Sequence, residues 1–184
     1  MACTLLPIDS SVCAVSDGGI RVSYIAPLSS LTSLTVASNE VSAFTMAGTG
    51  AWMKFVYDTD DDTAYYNQVG ERTNKKHTYV QTAFLKFAGI DTTKRIAIDA
   101  LVNCCEGLVA VHFLNNGETL VQGIDITAAT PFWKTPKKVA RVTASIMTGT
   151  GAEEDRIEIS LISTSNQSSP FGSAAITETY MESL

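Results

Sequence analysis

The chain has 184 residues, of which 45% are hydrophobic and 17% charged, and its formal net charge is −6. This length and composition indicate one folded globular domain rather than a disordered chain. An acidic chain is poorly suited to gripping nucleic acid, because that affinity depends on Lys and Arg neutralising phosphates. The sequence has no membrane-spanning apolar stretch and no signal-peptide pattern, so we expect synthesis in a reducing cytoplasm with free thiols.

The first half of the chain has the alternating apolar pattern of short strands. After an amino-terminal arm, residues 1–17, this pattern predicts strands at 20–26, 31–36, 41–46, 52–58 and 79–87, the second being the weakest. Pro27 is expected to end the first strand, because proline cannot donate a backbone hydrogen bond within a sheet. Gly48-Thr49-Gly50 predicts a turn.

Residues 58–76 are polar, with acidic residues at one end and basic residues at the other. We expect a long projecting loop or hairpin that contacts another subunit, since long irregular segments in compact domains are usually functional and opposite charges set register. An exposed hairpin without a partner is the alternative. A cation site is less favoured, because the aspartates lack the Gly and terminal Glu of a calcium loop. The candidate contact residues are Asp58, Asp60, Asp61, Asp62, Tyr65, Tyr66, Arg72, Lys75 and Lys76.

A helix followed by a hairpin is predicted in the centre of the chain. Asp91 is a favourable N-cap, and Gly107 is placed to end the helix in the left-handed conformation. A strand at 108–114, the turn residues Asn116-Gly117 and a returning strand at 120–126 should form the hairpin. The buried face of the helix has the spacing i, i+3, i+4 and i+7, at Ala97, Ala100, Leu101 and Cys104.

The last part of the chain predicts a further pair of strands and a polar tail. A loop at 130–137 precedes strands at 139–147 and 157–164, which are expected to pair. We expect the Ser-rich tail, 165–184, to be loose in a free monomer and held by a neighbouring subunit. The predicted fold class is therefore mainly β with one α-helix, arranged as a β-barrel or sandwich in a single domain over residues 1–184.

The sequence contains no recognisable catalytic or metal-binding motif. His112 lies in an apolar strand, which favours a hydrogen-bonded or edge-facing strand histidine over a ligand, and no C-x-x-C is present. The glycine-rich turns do not match a phosphate-binding loop, and no G-x-S-x-G occurs. Cys104 and Cys105 are interpreted as core-packing thiols within the helix. We predict that the protein is not an enzyme and binds no cofactor or metal.

Several stretches carry a family resemblance over most of the chain, in order and spacing. They are the Cys3/Cys13 segment, Gly18-Gly19-Ile20 with residues 24–28, residues 40–46, residues 91–95 with the following helix, residues 108–111, Asn115-Asn116-Gly117, Gly123 and Asp125. In these features the chain resembles the tail tube family of virion structural proteins from tailed phages, in the form common to phages of Bacteroidetes hosts. It departs from the family at two places. Family members often have acidic residues where this chain has His112-Phe113-Leu114, and aromatic residues where it has Thr119-Leu120-Val121.

This resemblance implies a barrel or sandwich flanked by one helix, six-fold rings, and stacking of the rings into a hollow tube. Its partners would be copies of itself and other tail proteins, while DNA would pass through the lumen without specific binding. The protein would be made in the host bacterial cytoplasm and reside in the virion tail, with no membrane anchor. Two alternatives stay open: a single-ring head–tail junction protein or inner tube of a contractile injection device, and a monomeric β-sandwich binding module.

Overall fold

A computed structural model describes residues 8–9, 19–48, 52–57, 63–73, 76–104, 107–124, 126, 141–148, 155–165 and 169–184. Its helices are α1 (Thr92–Val102) and the short α2 (Glu178–Glu182), and a 3₁₀ turn spans Leu28–Ser30. In these ranges no helix is long and apolar enough to cross a membrane. The strands are β1 (Ile8–Asp9), β2 (Ile20–Pro27), β3 (Leu31–Ala37), β4 (Glu40–Met46), β5 (Met53–Val56), β6 (Ala64–Thr73), β7 (Lys76–Ala88), β8 (Leu108–Leu114), β9 (Thr119–Gln122), β10 (Arg141–Met147) and β11 (Arg156–Ser165).

The strands form three sheets, in the orders β1-β5-β2-β8-β9, β10-β11-β7-β6 and β3-β4. All neighbouring strands are antiparallel except β1 and β5, which run parallel. The prediction of a mainly-β fold with one substantial helix is confirmed. The predicted pairing of the last two strands is also confirmed, with Arg141 opposite Ile162 and Met147 opposite Arg156.

Strand β2 lies at the centre of the five-stranded sheet and is buried on both faces. Ile25 belongs to a core cluster that it shares with the four-stranded sheet and α1, including Leu85 and Leu101. Val22 and Tyr24 belong to a second cluster on the opposite face. The sequence alternation placed Ile20 on the same face as Val22, but the pairing register shifts between these two residues and Ile20 joins the first cluster.

Helix α1 begins where the sequence predicts and ends earlier. The Asp91 side chain accepts a hydrogen bond from Lys94 N at 2.7 Å, as expected of an N-cap. The helix ends at Val102, so the prediction that Gly107 terminates it is wrong. Gly107 does have a positive φ of 83°, but it directly precedes β8. Cys104 is buried beyond the helix rather than within it, and its thiol donates to Gly107 O at 3.8 Å. Cys105 lies outside the described residues.

Of the loop or hairpin expected at 58–76, the structure contains the hairpin. Most of the segment is strand β6, which pairs with β7 from Ala64–Leu85 to Thr73–Lys76. Its polar residues are compatible with a strand because a sheet that faces water on one side needs apolar side chains on the other face only. The β8–β9 hairpin is confirmed, and Gly117 has the positive φ, 88°, that its turn requires. The loop at 130–137 and most of the arm at 1–17 lie outside the described residues.

The C-terminal segment, residues 169–184, packs on its own chain, so the prediction of a tail that is loose in the monomer is wrong. Its backbone pairs on both sides: Val121 N donates to Pro170 O at 2.9 Å, and Val41 N donates to Phe171 O at 2.9 Å. It thereby joins β9 to β4. Ile176 and Met181 are buried in the second core cluster. Burial of these two apolar side chains stabilises the packed segment, although its overall composition is polar and Ser-rich.

Polar contacts fix the end of this segment. The Tyr180 hydroxyl accepts a hydrogen bond from Phe44 N at 2.8 Å and donates one to Phe44 O at 3.1 Å. Lys54 Nζ lies 2.7 Å from Glu182 Oε1, and this hydrogen bond lowers the pKa of the Glu182 carboxyl. The segment is therefore an integral part of the domain.

Candidate functional site

The predicted contact residues on segment 58–76 are only partly described. Asp58, Asp60, Asp61, Asp62 and Lys75 lie outside the described residues, whereas Tyr65, Tyr66, Arg72 and Lys76 lie on the β6–β7 hairpin. Within the described ranges no group of three or more His, Cys, Asp or Glu side chains is arranged to hold a metal ion.

Among the described residues, the end of the β6–β7 hairpin extends past the last pairing of β11. The described pairing of β11 with β7 ends at Tyr79, whereas β6 pairs with β7 up to the Thr73–Lys76 pair. Three further residues beyond Tyr79 correspond to about 10 Å of strand. Arg72 and Lys76 are exposed in this extension, which we call the hairpin end, residues 71–73 and 76–78.

Tyr65 and Tyr66 lie on opposite faces of β6, so the structure does not bring them to one surface. Tyr65 is exposed and stacks on Phe84 with ring centroids 5.1 Å apart. The Tyr66 hydroxyl is bonded to Ser169 Oγ, and its ring centroid lies 6.1 Å from that of His112. Burial raises the pKa of Tyr66 to about 12. The Tyr66 side chain therefore packs inside the domain and is not part of a contact surface.

The outer face of the four-stranded sheet carries exposed apolar side chains. The strand pairing puts Val69 opposite Val80, and Tyr65 opposite Phe84, on that face. We call this group the outer-face patch; the members with the largest exposure, 36% to 48%, are Tyr65, Val69, Val80 and Ile162. The polar pair Asn67–Thr82 lies between these two apolar pairs. Exposed apolar side chains grouped on one face of a sheet make that face a candidate interaction site.

Both edges of the same sheet are open in the part of the chain that the structure describes. β10 pairs only with β11, and β6 pairs only with β7. An unpaired edge presents backbone N–H and C=O groups that can accept another strand. The sheet therefore offers two edges and one apolar face for association.

A buried polar network connects the two large sheets around His112. His112 Nδ1 lies 2.7 Å from Ser23 Oγ, and His112 Nε2 lies 3.1 Å from Gln122 Oε1. Gln122 Nε2 donates to Gln81 O at 3.0 Å and to Leu161 O at 2.9 Å. These two carbonyls fix the orientation of the amide, so His112 carries its proton on Nε2 and accepts from the Ser23 hydroxyl at Nδ1.

This order of Ser, His and Gln resembles the hydrogen-bonded line of a nucleophile, a base and an orienting group. Ser23 and His112 are both 0% exposed, so no substrate can reach the Ser23 hydroxyl in this conformation. Burial lowers the pKa of His112 to about 4, and the bond to Gln122 opposes that shift only in part. The network is therefore an interior support, consistent with the sequence-based preference for a hydrogen-bonded structural histidine at this position.

Sequence reasoning missed the glutamine partners of this histidine. Gln81 and Gln122 are both buried, and Ser163 Oγ donates to Gln81 Oε1 at 2.8 Å. The available signal was a polar residue at an inward position of a strand, as at Gln81 between Ala83 and Tyr79.

A groove of about 720 Å³ lies where the C-terminal segment meets the β8–β9 hairpin. Its wall includes Phe171, which is 46% exposed. Arg21 and Glu178 form an ion pair within it at 2.5 Å. Glu40 and Glu118 also line the groove, one at the start of β4 and the other in the turn before β9. No sequence motif marked this groove, because it forms from segments distant along the chain.

Comparison with known proteins gives no match to this chain among protein-family models, curated proteins or solved structures.

Proposed function

We propose that the chain is a structural subunit that associates with copies of itself into rings, and that the rings stack into the hollow tail tube of a phage. The observation that carries this proposal is the four-stranded sheet, whose two open edges and outer-face patch lack a covering partner in the described part of the molecule. The family resemblance of the sequence and the mainly-β fold with one flanking helix support the same role.

Strand direction makes the two edges compatible with one another. Every neighbouring pair in the order β10-β11-β7-β6 is antiparallel, so β10 and β6 run in opposite directions. The β10 of one copy placed beside the β6 of the next would continue the sheet in antiparallel register. Because two different edges meet, the contact is heterologous and can close into a ring.

The net charge suits a conduit for DNA. Each chain contributes −6, which a ring multiplies. A negative lumen repels the phosphate backbone, so the duplex passes without binding to the wall. The proposed partners are copies of this chain and other tail proteins, and the proposed location is the virion tail.

Negative-stain electron microscopy of the purified protein across a concentration series tests this proposal. We expect rings or tubes with a stain-filled central hole. Rings that never stack would favour the single-ring junction protein over the tube subunit. Monomers at every concentration would overturn self-assembly and favour a monomeric binding module.

A further inference from the structure

Two surfaces of the molecule carry charges that form no ion pair within the described ranges. Arg72 and Lys76 are exposed cations on the hairpin end. Glu40 and Glu118 are exposed carboxylates lining the groove. The ion pairs of the described residues involve other partners, including Arg21–Glu178 and Lys54–Glu182.

The two charges of each surface lie on different faces or different elements. Arg72 faces His77 across the hairpin, whereas Lys76 faces Thr73 one position further, so strand alternation directs the two cations to opposite faces of the ribbon. Glu40 and Glu118 belong to two different elements of the groove lining. The hairpin end thus carries two positive charges, and the groove carries two negative charges, that take part in none of the described ion pairs.

We infer that the groove receives the hairpin end of a second copy of this chain, with Arg72 and Lys76 opposite Glu40 and Glu118. The inference deepens the proposed function, on which it rests, by naming the two surfaces that join one ring to the next. The surfaces share no residue, so the contact is heterologous and repeats in one direction. Exposed Phe171 would add apolar contact area beside the charges.

Charge-reversal variants test this contact. A hairpin-end variant carries Arg72→Glu and Lys76→Glu, and a groove variant carries Glu40→Lys and Glu118→Lys. Because each variant opposes like charges, we expect the protein concentration at half-assembly, followed by light scattering, to rise about tenfold or more. Mixing the two variants in equal amounts should restore part of the assembly. The hairpin end of each variant then meets a groove of opposite charge on the other variant.

Matched controls place the same charge changes on α1, away from both surfaces. Arg95→Glu matches a hairpin-end substitution and Asp99→Lys matches a groove substitution, and both residues are exposed. These controls should assemble as the unmodified protein does. Thermal unfolding of each variant, followed by circular dichroism, verifies that the fold is retained.

The outcomes separate this inference from the proposed function. If the unmodified protein assembles and the reversals have no larger effect than the α1 controls, the groove contact is wrong and the tube proposal stands. If both reversals disrupt assembly but mixing the two variants does not restore it, the pairing of the hairpin end with the groove is likewise overturned. If the unmodified protein does not assemble, both proposals fall.

Discussion

At the scale of single residues, His112 makes the stability of the fold depend on pH. Its ring is enclosed by Ser23 and Gln122 and has no exposed surface. A neutral imidazole fits this site, because one nitrogen accepts and the other donates. A protonated ring would carry a charge that no solvent reaches, and both of its nitrogens would donate, so the Ser23 hydroxyl would have to turn from donor to acceptor. Protonation therefore disrupts a network that spans both large sheets.

This network predicts loss of stability in mild acid. The folded pKa of His112, about 4, lies below the ordinary histidine value of 6.5, so the unfolded chain binds the proton first as the pH falls. The contribution of His112 is complete above pH 6.5 and is lost progressively as the pH falls towards 4, by up to about 3 kcal/mol. Denaturant unfolding at a series of pH values measures this loss.

His112→Gln should flatten the pH dependence of the unfolding free energy over this range, since the amide does not titrate. His77→Gln is the matched control, because His77 is exposed at the hairpin end. It should retain the pH dependence of the unmodified protein. An unchanged curve for His112→Gln would contradict the assignment.

At the scale of elements, the sequence predicted those whose signals are local. The Asp91 cap, the Asn116-Gly117 turn and the alternation at 157–164 each gave an element that the structure contains. The segment at 58–76 was predicted only as a loop or hairpin, without the bounds of β6, because polar residues outnumber apolar ones along it. The helix end was misplaced because Gly107 takes a positive φ for the start of β8 instead.

The C-terminal segment and the groove depend on contacts that no local pattern reveals. Phe171 pairs with Leu120, and Gly172 pairs with Val41, so the segment sits between elements far away in sequence. Its two buried apolar residues, Ile176 and Met181, stand among polar neighbours without a strong period. Sequence reasoning therefore predicted the individual strands better than it predicted the long-range contacts that join them.

Met181→Ala should destabilise the domain by about 3 kcal/mol, because it leaves a cavity in the second core cluster. Thr179→Ala, at an exposed position of the same short helix, should change the unfolding free energy by less than about 0.5 kcal/mol. Chemical denaturation of both variants measures the difference. Equal small effects would mean that α2 contributes little to the core.

At the scale of the whole molecule, the open sheet edges and the outer-face patch lie on one four-stranded sheet. The five-stranded sheet is better protected, since the C-terminal segment pairs with β9 and joins it to β4. The two open edges lie on opposite sides of this sheet, which is the arrangement that the proposed head-to-tail ring contact would need.

Charges on the outer-face patch should prevent self-association without unfolding the domain. Val69→Lys and Ile162→Lys place ammonium groups at exposed positions, so each should change the unfolding free energy by less than about 0.5 kcal/mol. Sedimentation velocity should show a shift towards the monomer. Thr93→Lys on α1 is the control and should associate normally. Unaltered sedimentation of the patch variants would exclude this face from the contact.

The position of β2 between β5 and β8 also has a kinetic consequence. Ile20 pairs with Leu114 and Pro27 pairs with Leu108, so the central sheet closes only after distant parts of the chain have met. Loop closure over such separations slows folding, which takes on the order of milliseconds to seconds in proteins dominated by non-local pairing. During that interval unpaired strands of many nascent copies coexist, and premature pairing between them competes with the correct fold.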